Sequence, residues 1–323
     1  MHRVHTVVIA TVAAGFMLLP APIRAEEPLI PKDMAYIAHG ASVMGINKEA
    51  PADQGKNPTP YDRRMKAPWS AESFRDEGPE HMVFLDAYLM DTYKVSNNDY
   101  GEFVKANGHL APAYSDDPRL NKAQQPAVGV NWKDAIAFCE DRGKRLPTEA
   151  EWDKAARGPN ANLYPWGNDF DPAKANDSKS RDATMPVDSY PERTSYYGLY
   201  NMAGNVFEWV ADWYDPHYYG KIEPMVNPTG PAEPVWMGGT GTYVDWLTVG
   251  EKRVIRGGSW IAPEDTVRTT HRFWNHLLNH SYGVGLGFRC AKTTSPEIDE
   301  QIKDASIVAY DEMGRERFAE ARR

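Results

Sequence analysis

Gly198-Leu199-Tyr200-Asn201-Met202-Ala203-Gly204-Asn205-Val206-Phe207-Glu208-Trp209 is the stretch on which the fold turns. It lies within residues 158–258, where helical and strand periods are weak and Gly, Pro, Asn and Asp punctuate nearly every turn. Such a segment is ordered only when something other than secondary structure holds it. Bound metal and tight aromatic packing are the two candidates. Ten tryptophans and seventeen tyrosines supply the second, and flat side chains spread among glycines suit a fold with much irregular backbone.

Regular elements are expected on either side. Met34 to Ile46 reads as a short strand and turn, residues 47–80 as a polar surface loop, and Val83-Phe84-Leu85 and Ala87-Tyr88-Leu89 as strand-like. Ser96-Asn97-Asn98-Asp99 offers capping chemistry for a helix through Tyr100, Phe103 and Val104, ending near Gly108. Asn131 caps a second helix, whose Ala135, Ile136, Phe138 and Cys139 share a face before Gly143 stops it. Thr148 with Glu151 three residues later is a capping box, opening a third helix with Trp152, Ala155 and Ala156 inward. Arg253 to Arg256 and Leu286 to Cys290 read as short strands. The charged tail 295–323 reads as a helical surface appendage with Ile298, Ile302 and Phe318 as sparse apolar positions.

The N-terminus has the pattern of an export signal. Met1-His2-Arg3 is positive, Val7 to Leu19 is apolar or small, and Ile23-Arg24-Ala25 places a small residue before Glu26-Glu27. The apolar run is shorter than the roughly 20 residues a bilayer span needs, so cleavage near Ala25 is expected over an uncleaved anchor. The mature chain would then be periplasmic or secreted. Loss of Arg3 and Arg24 leaves 34 basic against 45 acidic side chains, a net charge of -11. That disfavours nucleic acid and anionic membrane surfaces, and no later segment is long and apolar enough for stable membrane insertion. The two cysteines, Cys139 and Cys290, suggest one disulfide in an oxidising compartment.

Four further strings accompany the opening one: Gly143-Lys144-Arg145-Leu146-Pro147-Thr148-Glu149-Ala150-Glu151-Trp152, Tyr164-Pro165-Trp166-Gly167, Arg256-Gly257-Gly258-Ser259-Trp260 and Gly287-Phe288-Arg289-Cys290. In this order they resemble the formylglycine-generating-enzyme-like (sulfatase-modifying-factor) family, from about Met34 to Ala291. The resemblance implies a C-type-lectin-like α+β domain over residues 26–294 with little regular secondary structure. It also implies a calcium ion held by the side chains of Asn201 and Glu208 and the carbonyls of Gly204 and Val206, hard oxygen donors for a hard cation. The alternative is that Asn201 and Glu208 only bond turn amides. A second calcium is implied at Asn176 and Asp177, with Asp182 a weaker match. The resemblance pairs Cys139 with Cys290, a buried free thiol on the apolar helix face being the other reading.

What the family's best-known chemistry requires is missing. Formylglycine formation uses two cysteines shortly after the Arg-Gly-Gly-Ser string, and no residue from Arg256 to Arg289 is cysteine. Ala262 and Val267 stand at about those places, and neither can bind a soft metal. The segment instead carries Glu264 and Asp265, then Arg268, His271, Arg272, Trp274, Asn275, His276 and His280. His271, His276 and His280 are candidate iron or copper ligands. Glu264, Asp265 and His271 are candidate acid-base groups. Trp260, Arg268, Arg272, Trp274 and Asn275 are candidates for gripping an organic or peptide ligand, with plain structural packing as the bland reading. Gly238-Gly239-Thr240-Gly241 lacks the strand-then-helix setting of a phosphate loop and reads as a turn. The family also includes exported members that complete a siderophore chromophore by oxidation without the cysteine pair, and accessory proteins of periplasmic metalloenzymes. Two functions follow as expectations. One is oxidative maturation of an exported small molecule or peptide; the other is a calcium-stabilised binding or accessory domain for a periplasmic partner protein or metalloenzyme.

Overall fold

The computed structural model describes residues 30–47, 75–177, 182–221, 225–235, 251–278, 283–295 and 298–299. The stretch expected to be an export signal, most of the 47–80 loop, the expected Gly238–Gly241 turn, His280 and most of the 295–323 tail lie outside them.

The three helices among the described residues form where local chemistry places them. Ser96, Asn131 and Thr148 each adopt an extended backbone and close a reciprocal capping box on the residue three positions later. They start α1 (Asn97–Asn107), α2 (Trp132–Asp141) and α3 (Glu149–Arg157). Gly108, left-handed at φ 64°, ends α1. On α2 the buried residues are Ala135, Phe138 and Cys139. Helix α3 is buried on every side, its Glu149, Glu151 and Asp153 included. A helix apolar on one face can be submerged only if its charges find partners.

Among the described residues ten short strands make three small sheets. β1 (Met34–Ile37), β4 (Tyr88–Asp91) and β10 (Ala291–Thr293) are antiparallel, with β4 central. β2 (Gly40–Met44) pairs antiparallel with β3 (His81–Leu85), which takes β6 (Met225–Val226) in parallel. The largest sheet has the order β8-β7-β5-β9, from β8 (Arg272–His276), β7 (Lys252–Arg256), β5 (Phe207–Trp213) and β9 (Leu286–Phe288). Mixed short sheets with three helices are the α+β, C-type-lectin-like fold expected. Two elements differ from expectation. β5 grows out of the Gly198–Trp209 string, and part of the histidine-bearing segment, where no strand was expected, is strand β8. Both are made regular by pairing with β7, a contact no local period reports.

Aromatic packing joins the helices to the strands. Trp152 and Trp209 are fully buried, and Tyr100, Phe103, Phe138 and Phe288 form one connected ring cluster. The Cys139–Cys290 disulfide, Cα atoms 5.7 Å apart, fastens α2 to the segment joining β9 and β10. Two glycines allow close approaches. A Cβ on Gly204 (φ 84°) would lie 2.8 Å from the Asn176 carbonyl oxygen, and one on Gly258 (φ 71°) 2.7 Å from that of Thr266.

Candidate functional site

The segment after Arg256-Gly257-Gly258-Ser259 runs along the end of the large sheet. Val267 is wholly buried in an apolar cluster with Tyr164, Ala175 and Ala203, and Ala262 is half-buried. The places expected to lack sulfur are therefore side-chain carbon. Glu264 stands exposed and Asp265 half-buried on a 3-10 turn, Glu264–Val267.

The cationic residues that follow point inward. β8 pairs with β7 so that Arg272 lies opposite Arg256, and both are fully buried. Arg272 Nε donates to Glu149 Oε1 at 2.8 Å and Nη2 to Glu149 Oε2 at 3.0 Å, while Nη1 donates to the carbonyls of Asp76 and Asp215. Arg256 donates to Glu149 and Asp153, both at 2.6 Å, and to the Thr269 carbonyl. Burial alone would raise the Glu149 carboxyl, but the two guanidinium groups hold it below the usual range. A second knot centres on Glu77, which accepts from Arg268 at 2.6 Å and Thr270 at 2.7 Å, with His271 Nδ1 at 3.2 Å. Burial opposes ionisation there too, yet Arg268 and His271 hold the Glu77 carboxyl down to about 2. Its neighbour Asp76, bonded by Tyr214, is pushed by burial to about 6.

These positions correct several expectations. Arg272 and Asn275 are buried because β8 is a paired strand, and Arg268 is buried against Glu77, so none of the three lines an open groove. Trp260 is buried, donates to the Val284 carbonyl and lies beneath Arg119. Trp274 is partly buried with the Lys252 ammonium 3.8 Å from its ring centre. His271 and His276 bracket an extended strand and so stand roughly 16 Å apart, too far to share one metal ion. His280 lies outside the described residues. The end of the 47–80 loop is not surface: Asp76 and Glu77 are buried.

Calcium can be tested on the donors present. At the first implied site the Val206 and Glu208 oxygens are already engaged. The Lys94 ammonium donates to the Val206 carbonyl at 2.9 Å and to Glu208 Oε1 at 2.5 Å. Arg289 donates to both Glu208 oxygens, and the Asn201 amide donates to the Val187 and Ser189 carbonyls. These residues do not fit a calcium ion. The second set fits better. Asn176 and Asp177 are buried, and Asn176 Oδ1 accepts no hydrogen bond among the described residues, an oxygen of the kind calcium takes. Asp182 is exposed.

Sequence reasoning missed Glu77, Glu149 and Lys94 as partners. Glu149 lay inside a quoted string but was given no role of its own. Lys94 and Glu77 carried no local signal.

The comparisons agree with this geometry. The sulfatase-modifying factor enzyme 1-like domain matches residues 23–294. The chain is 36% identical over 244 residues to the serine/threonine-protein kinase pkn1 of Chlamydia caviae, covering 69% of this chain but only 36% of that protein. The chain thus spans about a third of that relative's length. It is 31% identical over 284 residues to the formylglycine-generating enzyme of Mus musculus, covering 69% of this chain and 70% of the enzyme. Among solved structures, PvdO from Pseudomonas aeruginosa superposes with a TM-score of 0.59 at 26% identity, covering 81% of this chain and 96% of that one. With its ordered strings, its disulfide and its match over most of its length, the chain belongs to the sulfatase-modifying factor enzyme 1-like family.

Proposed function

We propose that this chain is an exported, non-thiol member of the family that serves as a binding or accessory domain for a periplasmic partner protein. The observation that carries this reading is the outward face of the β2-β3-β6 sheet. Phe84 lies opposite Ala41 on one side and Val226 on the other, and Met82 lies opposite Val43. Met82, Phe84 and Val226 are 49%, 43% and 69% exposed. Side chains facing each other across strands form one continuous apolar patch, and contiguous exposed patches of this kind mark protein contacts more often than chance. Arg268 and Arg272, candidates for gripping a ligand, are held in buried ion pairs with Glu77 and Glu149, and the acid-base candidate His271 lies buried against Glu77. Calcium in this reading is structural and belongs at Asn176 and Asp177.

Oxidative maturation of an exported small molecule or peptide is the second reading. The exposure of Glu264 beside Asp265 on the turn after Ser259 favours it, since an acid-base pair there would remain reachable. One preparation tests both. A photo-crosslinking residue is placed at Val226 in the full chain, expressed in its own periplasm. A single discrete adduct, lost when Phe84→Glu is added but kept with Glu264→Ala, supports the binding reading. Oxygen consumption by the same extract that disappears with Glu264→Ala, with no adduct at Val226, overturns it in favour of the enzyme.

A further inference from the structure

The disagreement at the implied calcium site has a specific cause. Lys94 lies between β4 and α1, where the Val95 amide donates to the Phe288 carbonyl and so anchors the backbone beside β9. Its side chain is fully buried, as is that of Glu208. The ammonium sits between the Val206 carbonyl oxygen and Glu208 Oε1, two of the four oxygens that would make up the metal cage. The other face of Glu208 is closed by Arg289, whose Nε lies 2.6 Å from Oε2. That guanidinium is fixed in turn by the carbonyls of Asp91, Thr92 and Tyr200.

We propose that Lys94 is a built-in cation that does the work of a bound metal ion at this position. It joins the loop carrying Val206 to strand β5 through the same oxygens a divalent ion would use. A lysine ammonium is a compact point charge with three donors, which suits two oxygens converging from different backbone segments. Glu208 already meets two cations, so a divalent ion on the same oxygens would face like charge on both sides. An ion would also need six or more oxygen ligands, whereas the Asn201 amide faces the Val187 and Ser189 carbonyls as a donor. The functional consequence is that the loop from Gly198 to Trp209 keeps its shape without calcium, whatever the calcium level of its compartment. Calcium at Asn176 and Asp177 is a separate matter.

Two measurements on the full mature chain test this. Calcium stoichiometry by equilibrium dialysis is compared between the wild-type protein and Glu208→Gln. An unchanged stoichiometry is expected; loss of one equivalent in the variant overturns the proposal. Because Glu208→Gln leaves Arg289 and Lys94 without their carboxylate and risks misfolding, the wild-type protein alone is also acetylated with acetic anhydride. Mass spectrometry then reads Lys94 in excess calcium chloride and in chelator. Equal protection in both is expected, whereas Lys94 turning reactive when calcium is added would mean the ion displaces the ammonium, and the proposal fails.

Discussion

Glu77 shows what a single buried carboxylate does in this molecule. It accepts from Arg268 and Thr270 with His271 close by, and it remains ionised down to about 2 although it is wholly buried. A carboxyl held below its ordinary value stabilises the fold above about pH 4.5, and that contribution is lost as pH falls from there toward 2. The shift corresponds to on the order of 3 kcal/mol. Asp76, pushed up to about 6, acts with the opposite sign: its contribution is present below its ordinary range and is lost as pH rises through about 6. Urea unfolding across a pH series should therefore give Glu77→Gln a flatter acid limb than wild type below pH 4.5. It should also be less stable at neutral pH by roughly 3 kcal/mol, because the buried Arg268 guanidinium loses its carboxylate partner. An acid limb identical to wild type would show that Glu77 is not the anchor of this knot.

At the scale of elements, the caps and the strand pairings obey different rules. Thr148 accepts from the Glu151 amide while the Glu151 carboxylate accepts from the Thr148 amide, so α3 is begun by residues three positions apart. Thr148→Ala should cost about 1 kcal/mol in the urea midpoint without moving the helix. No change would mean that burial of α3 alone sets its start. All three helices were legible for this reason: Ser96, Asn131 and Thr148 name their own partners within one turn. β5 and β8 were not, since their register comes from β7, and neither Phe207–Trp213 nor Arg272–His276 alternates cleanly between apolar and polar. No strand was expected in the β8 segment, which left the separation of its histidines open. As a strand, it separates them and turns Arg272 toward Glu149.

For the whole molecule, the disulfide is the covalent tie between distant segments. Cys139 and Cys290 are 151 residues apart, and closing a loop of that length restricts the unfolded chain by roughly 4 to 5 kcal/mol. A reducing agent, or the paired change to alanine, should lower the unfolding midpoint by a corresponding amount. An unchanged midpoint would place the stability elsewhere, in the ring cluster of Tyr100, Phe138 and Phe288 beside the bridge.

The sequence alone determined the family, the helix starts and the absence of cysteine after the Arg256-Gly257-Gly258-Ser259 string. Each of these depends on residue identity or on neighbours a few positions away. Only the tertiary structure decided which charges are buried and against what. Lys94 meets Glu208 across 114 positions, Arg272 meets Glu149 across 123, and Arg268 meets Glu77 across 191. A buried ion is tolerable only where the folded chain brings its counter-ion, and that meeting leaves no periodic trace in the sequence.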